Sequence, residues 1–139
     1  MYVDSETETD RKNELQVISI FCEKMNCNFQ KLRKYDLDFL LYRNEKSVAF
    51  GEVKCRTHSF DKFDTQIISL KRHKELMNCS KWLPCFLIVK YTDGIFYIDA
   101  KDIPNENIKI GGRNNPRKER PNDIEPLIHF KRSLFKKIK

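Results

Sequence analysis

The sequence lacks the features of a membrane protein or a disulfide-stabilised secreted protein. No apolar run approaches the roughly 18 residues of a membrane span, and the opening MYVDSETETD is acidic where a secretory signal would be basic and then apolar. The five cysteines are odd in number and include no CxxC pair, which disfavours both a disulfide framework and a zinc knuckle. Thiols in apolar stretches such as WLPCFLIV are predicted to be small core residues. We therefore expect a cytoplasmic protein with no membrane partner.

Internal repeats and low-complexity linkers are also missing, which argues against a multidomain organisation. The 139 residues suffice for one domain, and 40% hydrophobic residues, with ten Phe and five Tyr, suffice for a packed core. We predict a single domain over residues 1–139, with its core between about residues 10 and 100.

Acidic residues are scarce towards the C-terminus. Between Gly111 and Lys139 there are nine Lys or Arg and three acids, so +6 of the net charge of +7 lies in this basic C-terminal extension. Such a local excess predicts a polyanionic partner, and nucleic acid fits best. A solvated tail that only promotes solubility is the open alternative. The candidate nucleic-acid contacts in this segment are Arg113, Arg117, Lys118, Arg120, Lys131 and Arg132.

Apolar spacing predicts two helices. The first covers residues 5 to about 27, with a capping box from Ser5 to Glu8 and an inward face formed by Leu15, Ile18, Phe21, Cys22 and Met25. Glu14 lies in line with that face, where a carboxylate either bends to solvent or meets a positive charge. The second covers about Lys62 to Met77, with Gln66 on the flank of an inward face formed by Phe63, Ile67, Leu70 and Met77.

Strand patterns fill the rest of the chain. A short strand is predicted at NFQKLR, a hairpin over residues 35–55, and a second hairpin from CFLIVKY and GIFYIDA around an Asp-Gly turn. Short late strands are predicted at IKIGG and IEPLIHF.

The register of the first hairpin brings acids together. A turn at Asn44, Glu45 and Lys46 sets Asp38 opposite Glu52 and Asp36 opposite Lys54, all on one face. Two acids placed opposite one another cost up to roughly 1 kcal/mol, which suggests a cation between them. The carboxylates and the Val53 carbonyl would form an oxygen site for Mg²⁺, and Lys54 could orient or deprotonate an attacking water. The alternative is a surface network in which Lys54 pairs with Asp36 and Glu52.

A tripeptide such as Glu52-Val53-Lys54 is expected about once by chance at this composition. It indicates a function only together with the elements around it. A helix with an inward Glu14, a strand with Asp38, a turn, a strand with EVK and a helix carrying Gln66 resemble the core of the PD-(D/E)xK nucleases. Within that superfamily the sequence is most similar to small phage-type and virus-type replication-repair nucleases and to archaeal-type Holliday junction resolvases. No proline precedes the Asp in YDLD, so the namesake dipeptide is missing.

The resemblance implies an α/β fold with a restriction-endonuclease-like α-β-β-β-α-β core, in which helices flank a mixed central sheet. It also implies that Asp38 and Glu52 are metal ligands, with Asp36 as a competitor of Asp38. Lys54 would be the catalytic lysine, Glu14 a further ligand acting directly or through water, and Gln66 a site-organising residue. Arg56 and His58, just after the lysine, are candidate substrate contacts.

These inferences predict a Mg²⁺- or Mn²⁺-dependent DNA endonuclease that hydrolyses phosphodiester bonds in duplex or branched DNA. It would act in phage-type recombination, repair or replication, in the host cytoplasm if encoded by a phage. A junction resolvase would be a homodimer, whereas a nickase or flap cutter could be a monomer. A catalytically silent DNA-binding accessory protein with the same fold is the alternative, and an RNA-directed nuclease also stays open.

Overall fold

The chain folds into two helices and nine strands over the residues that the computed structural model describes, which are 8–32, 37–112 and 124–139. In chain order the elements are α1 Glu8–Met25, β1 Asn28–Lys31, β2 Phe39–Arg43, β3 Lys46–Cys55, β4 Thr65–Ser69, α2 Leu70–Cys79, β5 Cys85–Tyr91, β6 Gly94–Asp99, β7 Ile108–Gly112, β8 Ile124–Lys131 and β9 Lys136–Lys137. Short 3-10 turns cover Phe60–Lys62, Ala100–Asp102 and Arg132–Leu134.

Six strands form the central sheet, in the order β1-β2-β3-β5-β6-β9. The pairing of β3 with β5 is parallel and the other pairings are antiparallel, so the sheet is mixed, as predicted. A parallel pair needs a crossover connection, and β4 and α2 supply it between β3 and β5. The basic C-terminal segment takes part in this architecture, because β9 pairs with β6 at the sheet edge.

The first helix packs on one face of the central sheet. Its residues Val17, Ile18, Phe21 and Cys22 are buried and share a hydrophobic cluster with residues of β2, β3 and β5. The helix ends where Asn26 adopts a positive φ of 56°, a conformation that Asn tolerates better than most residues. The prediction that Leu15 points inward is wrong, since it is 43% exposed. The buried stripe is rotated towards Val17. Ser5 of the predicted capping box lies outside the described residues.

The first hairpin turns more tightly than predicted. Asn44 and Glu45 both have positive φ values, 52° and 64°, as a two-residue turn of the I′ kind requires. Lys46 already pairs with Arg43, so the predicted three-residue turn is wrong. A register shift between Leu41 and Tyr42 then restores the predicted pairing, in which Leu41 faces Ala49 and Phe39 faces Gly51.

The helix predicted over Lys62–Met77 is wrong in its first half. Residues Thr65–Ser69 form β4, and α2 begins only at Leu70, where the Ser69 side chain accepts a hydrogen bond from the N–H of Arg72. Three residues assigned to the inward face are exposed, namely Phe63 by 50%, Ile67 by 39% and, within α2, Met77 by 37%. In β4 the alternation buries Gln66 and Ile68 instead.

A second, antiparallel sheet of order β4-β8-β7 covers the other face of the central sheet together with α2. The strands predicted at IKIGG and IEPLIHF are confirmed as β7 and β8. A second hydrophobic cluster joins Ile68, Leu76 and Ile128 to residues of β5 and β6, and it includes the fully buried Cys85. No helix within the described ranges is long and apolar enough to cross a membrane.

Candidate active site

Two acids at the open end of the first hairpin are held together by backbone hydrogen bonds. The N–H of Asp38 donates to Glu52 Oε2 at 3.3 Å, and the N–H of Val53 donates to Asp38 Oδ2 at 2.9 Å. Each carboxylate thus accepts from the backbone of the segment that carries the other. The β2–β3 register ends where Phe39 faces Gly51, and these bonds join the next residue of each chain through the side chains. The structure therefore brings together the acids that the register set opposite one another.

Glu52 is buried to an unusual degree for an acid, with 2% of its surface exposed. Burial, followed by the charge of Asp38, raises the pKa of Glu52 to about 7. The nearby charges of Arg72 and Lys54 oppose this shift and lower the pKa. A strongly perturbed buried carboxylate with a second acid beside it is typical of a functional site.

Two basic residues that the sequence analysis did not single out neutralise these acids. Arg72 Nε lies 3.6 Å from Glu52 Oε1, and Arg72 Nη1 lies 2.7 Å from Glu75 Oε2. Lys31 Nζ lies 3.4 Å from Glu14 Oε2 and 3.7 Å from Asp38 Oδ1. Glu14 therefore meets a positive charge, one of the two outcomes expected of its position on α1.

Lys54 faces a cleft of about 830 Å³ between the central sheet and the second sheet. The cleft is in the size range of sites that hold small molecules or short segments of a polymer. Lys54 and Arg56 line it from β3 and the residue after it, and Lys71 and Arg72 from the first turn of α2. Apolar side chains of β5 and β8 complete it, namely Leu87, Val89 and Leu127.

Gln66 lies in β4 and not on the flank of a helix, which corrects the predicted position. It is 6% exposed. Its Oε1 accepts a 2.5 Å hydrogen bond from the hydroxyl of Tyr91, and its Nε2 donates to the Phe60 carbonyl at 3.4 Å. It also lines the cleft beside Lys54. Burial raises the pKa of Tyr91 to about 12, so its hydroxyl remains a donor at neutral pH.

The other predicted substrate contacts are dispersed. Arg56 lines the cleft, whereas the His58 ring packs against Phe63 and Tyr91. Lys131 is exposed on β8, and Arg132 Nη1 donates to the Asp61 carbonyl at 2.8 Å. Residues outside the described ranges include Asp36 and four of the basic candidates, Arg113, Arg117, Lys118 and Arg120.

The donor chemistry of the acid pair fits a hard divalent cation. Asp38, Glu52 and the Val53 carbonyl offer oxygen ligands, the kind that Mg²⁺ and Mn²⁺ take. A cation would also stabilise the ionised form of Glu52, whose charge burial disfavours. Among the described residues, however, no three His, Cys, Asp or Glu side chains are already grouped around one point. Asp38 contacts Lys31, and Glu52 contacts Arg72.

The fold is similar to that of solved structures. The chain is similar to Hjc, a Holliday junction resolvase of Archaeoglobus fulgidus, with 9% identity, a TM-score of 0.57 and coverage of 88% of this chain and 89% of that one. It is also similar to D212, a nuclease from a fusselovirus, with 15% identity, a TM-score of 0.49 and coverage of 99% and 91%. No curated protein matches the sequence.

The class of protein is a PD-(D/E)xK-type nuclease, as the resemblance predicted. A family model described as "Phage putative PDDEXK endonuclease" matches residues 2–138. The chain belongs to this phage PDDEXK endonuclease family.

Proposed function

We propose that the protein is a Mg²⁺- or Mn²⁺-dependent deoxyribonuclease that cuts phosphodiester bonds by water attack, with Asp38, Glu52 and Lys54 at its centre. The observation that carries this proposal is the reciprocal hydrogen bonding of Asp38 and Glu52 next to a cleft that Lys54 lines. Family membership supports nuclease activity. The metal requirement and the residue roles are our proposal.

In this proposal Asp38, Glu52 and the Val53 carbonyl hold the cation, and Glu14 contributes directly or through water. A bound divalent cation supplies Lewis acidity towards the phosphate and favours deprotonation of water. The Val53 N–H fixes the orientation of the Asp38 carboxylate, and Arg72 favours the ionised form of Glu52 against the effect of burial. These contacts preorganise the acids before any cation arrives.

Lys54 acts on the reacting groups from the cleft side. Its ammonium orients the attacking water and offsets the negative charge that develops on the phosphate, whereas deprotonation of that water would require the neutral amine. Gln66 does not touch the acids in this arrangement. Held by Tyr91 and the Phe60 carbonyl, it organises the cleft wall beside Lys54, which is the role we assign to it.

The cleft favours a substrate with a strand separated from its complement, as at a flap or a branch point, over a continuous duplex. Its volume of about 830 Å³ suits a short single-stranded segment better than a whole duplex. Cations on both walls, Lys54 and Arg56 opposite Lys71 and Arg72, would contact the phosphates of that segment. The basic C-terminal segment would hold the adjacent backbone, which makes binding strongly salt-dependent.

The test is cleavage of supercoiled plasmid, a four-way junction, flap DNA, linear duplex and single strands, each with Mg²⁺, with Mn²⁺ and with EDTA. Lys54→Met is compared with Lys90→Met, because Lys90 lies on the neighbouring β5 strand and pairs with Cys55 on the opposite face. We expect metal-dependent cleavage of branched DNA, lost in Lys54→Met and kept in Lys90→Met. Cleavage that persists in Lys54→Met or in EDTA would contradict the proposal.

The oligomeric state separates the candidate substrates. Symmetric cutting of a four-way junction needs two active sites, which a homodimer supplies. Light scattering after size-exclusion chromatography, with and without junction DNA, is expected to show a dimer if the junction is the substrate. Metal-independent DNA binding without any cleavage would instead support the accessory-protein alternative.

A further inference from the structure

The side-chain amine of Lys31 lies between two acids from different elements. Lys31 is the last residue of β1, and its Nζ lies 3.4 Å from Glu14 Oε2 of α1 and 3.7 Å from Asp38 Oδ1, just before β2. One ammonium therefore serves both carboxylates. The side chains of Glu14 and Asp38 are each 20% exposed, so their charges are only partly screened by water.

We propose that Lys31 is an internal counter-ion of the candidate metal site, which a divalent cation must displace to bind Asp38. The proposal rests on the metal site of the proposed function, but not on the nuclease reaction. A Mg²⁺ ligand lies about 2.0–2.1 Å from its cation, whereas Lys31 already lies 3.7 Å from Asp38 Oδ1. A divalent cation and an ammonium at the same oxygen atom repel one another strongly.

The surroundings of Lys31 allow it to leave. Its side chain is 43% exposed, and β1 is an edge strand of the central sheet. A lysine side chain can change rotamer without any movement of the backbone.

Arg72 is anchored differently and is expected to stay in place. It contacts Glu52 at 3.6 Å, but its short contact of 2.7 Å is with Glu75 of the same helix. Lys31 and Arg72 therefore neutralise different acids of the site. Arg72 remains beside the buried Glu52, while Lys31 occupies the exposed side, from which a cation would enter.

The consequence is a metal site whose negative charge is partly neutralised in the absence of metal and which binds metal less tightly than its acids alone would. Calorimetry with Mn²⁺ in the absence of DNA measures this directly. We expect Lys31→Met to bind Mn²⁺ about three- to tenfold more tightly than the wild type, the effect of one or two partly exposed charge pairs. Lys31→Arg keeps the charge and should not gain affinity.

The matched control is Lys46→Met, because Lys46 is exposed at the far end of the same hairpin. It should bind Mn²⁺ as the wild type does. Equal or weaker affinity in a folded Lys31→Met would overturn the counter-ion proposal while leaving the metal site standing. Absence of Mn²⁺ binding in every variant would overturn both the metal site and this proposal.

A second measurement follows the displacement in the wild-type protein and needs no variant. Amine acylation read by mass spectrometry should label Lys31 faster when Mn²⁺ is present, because the ammonium has lost its two carboxylates. The labelling rate of Lys46 should not change. A Lys31 rate that is unchanged or slower at saturating Mn²⁺ would contradict displacement.

Discussion

The hydroxyl of Tyr91 donates a 2.5 Å hydrogen bond to Oε1 of Gln66, and both residues are buried. Tyr91 ends β5 of the central sheet and Gln66 lies in β4 of the second sheet, so the bond ties the two sheets together. Both residues also line the cleft. The contact therefore helps to set the spacing of the cleft walls beside Lys54.

Tyr91→Phe should lower the free energy of unfolding by about 1–3 kcal/mol, because it leaves the buried Gln66 Oε1 without this donor. Urea denaturation followed by circular dichroism measures the change. Tyr42→Phe, on the partly exposed side of β2, is the control and should change stability by less than about 0.5 kcal/mol. Equal stability of Tyr91→Phe and the wild type would contradict the structural role of the bond.

This pair also shows where sequence reasoning failed. Phe63, Ile67, Leu70 and Met77 recur at helical spacing, so the segment was predicted to be one helix with Gln66 on its flank. In the structure Gln66 pairs with Phe130 of β8, more than sixty residues later in the sequence. Strand formation at Thr65–Ser69 is decided by this distant partner, and tertiary context overrides a local helical pattern.

The acid pair could be predicted because its signal is local. Strand periodicity of two and a short turn determine which residues face each other, and a shift of one residue at the turn was compensated within the hairpin. Lys31 and Arg72 could not be found in this way. Lys31 meets Glu14 across 17 positions, and Arg72 meets Glu52 only because α2 begins at Leu70.

Arg72→Met should destabilise the metal-free protein more at pH 8.0 than at pH 5.5. The pKa of Glu52 is raised to about 7. The stability that the protonated form of Glu52 contributes is therefore present at low pH and is lost as the pH rises through 7. Arg72 limits that loss by stabilising the ionised form. We expect a cost of about 1–2 kcal/mol at pH 8.0, below the value for fully buried pairs because Arg72 is partly exposed.

Urea denaturation in EDTA at the two pH values measures this difference. Lys71→Met is the matched control, since Lys71 lies in the same turn of α2 and lines the same cleft. Its effect should not vary with pH. An Arg72→Met cost that is the same at both pH values would show that Arg72 does not support the charge of Glu52.

His73 should make the fold sensitive to acid. It is 4% exposed, its Nε2 has no hydrogen-bond partner among the described residues, and burial lowers its pKa. A histidine with a lowered pKa contributes stability above its ordinary value of about 6.5, and this is lost as the pH falls, because the unfolded chain takes up the proton.

Melting temperatures between pH 7.5 and 5.5 test this effect. The wild type should lose several degrees relative to His73→Leu as the pH falls, since 1 kcal/mol corresponds to about 4 °C in a domain of this size. Titrating groups common to both proteins, including Glu52, shift both melting temperatures alike, so their effect cancels in the difference. A constant difference across this pH range would contradict the assignment.

The most direct test of the central claim compares Glu52→Gln with Glu45→Gln in the Mn²⁺-dependent cleavage of branched DNA. Glutamine keeps an acceptor for the Asp38 N–H but removes the charge that a cation needs, and Glu45 is exposed in the turn at the other end of the hairpin. The account predicts a folded Glu52→Gln protein whose cleavage rate falls by at least about 10²-fold, and a Glu45→Gln protein with the wild-type rate. Cleavage at the wild-type rate by Glu52→Gln would contradict it.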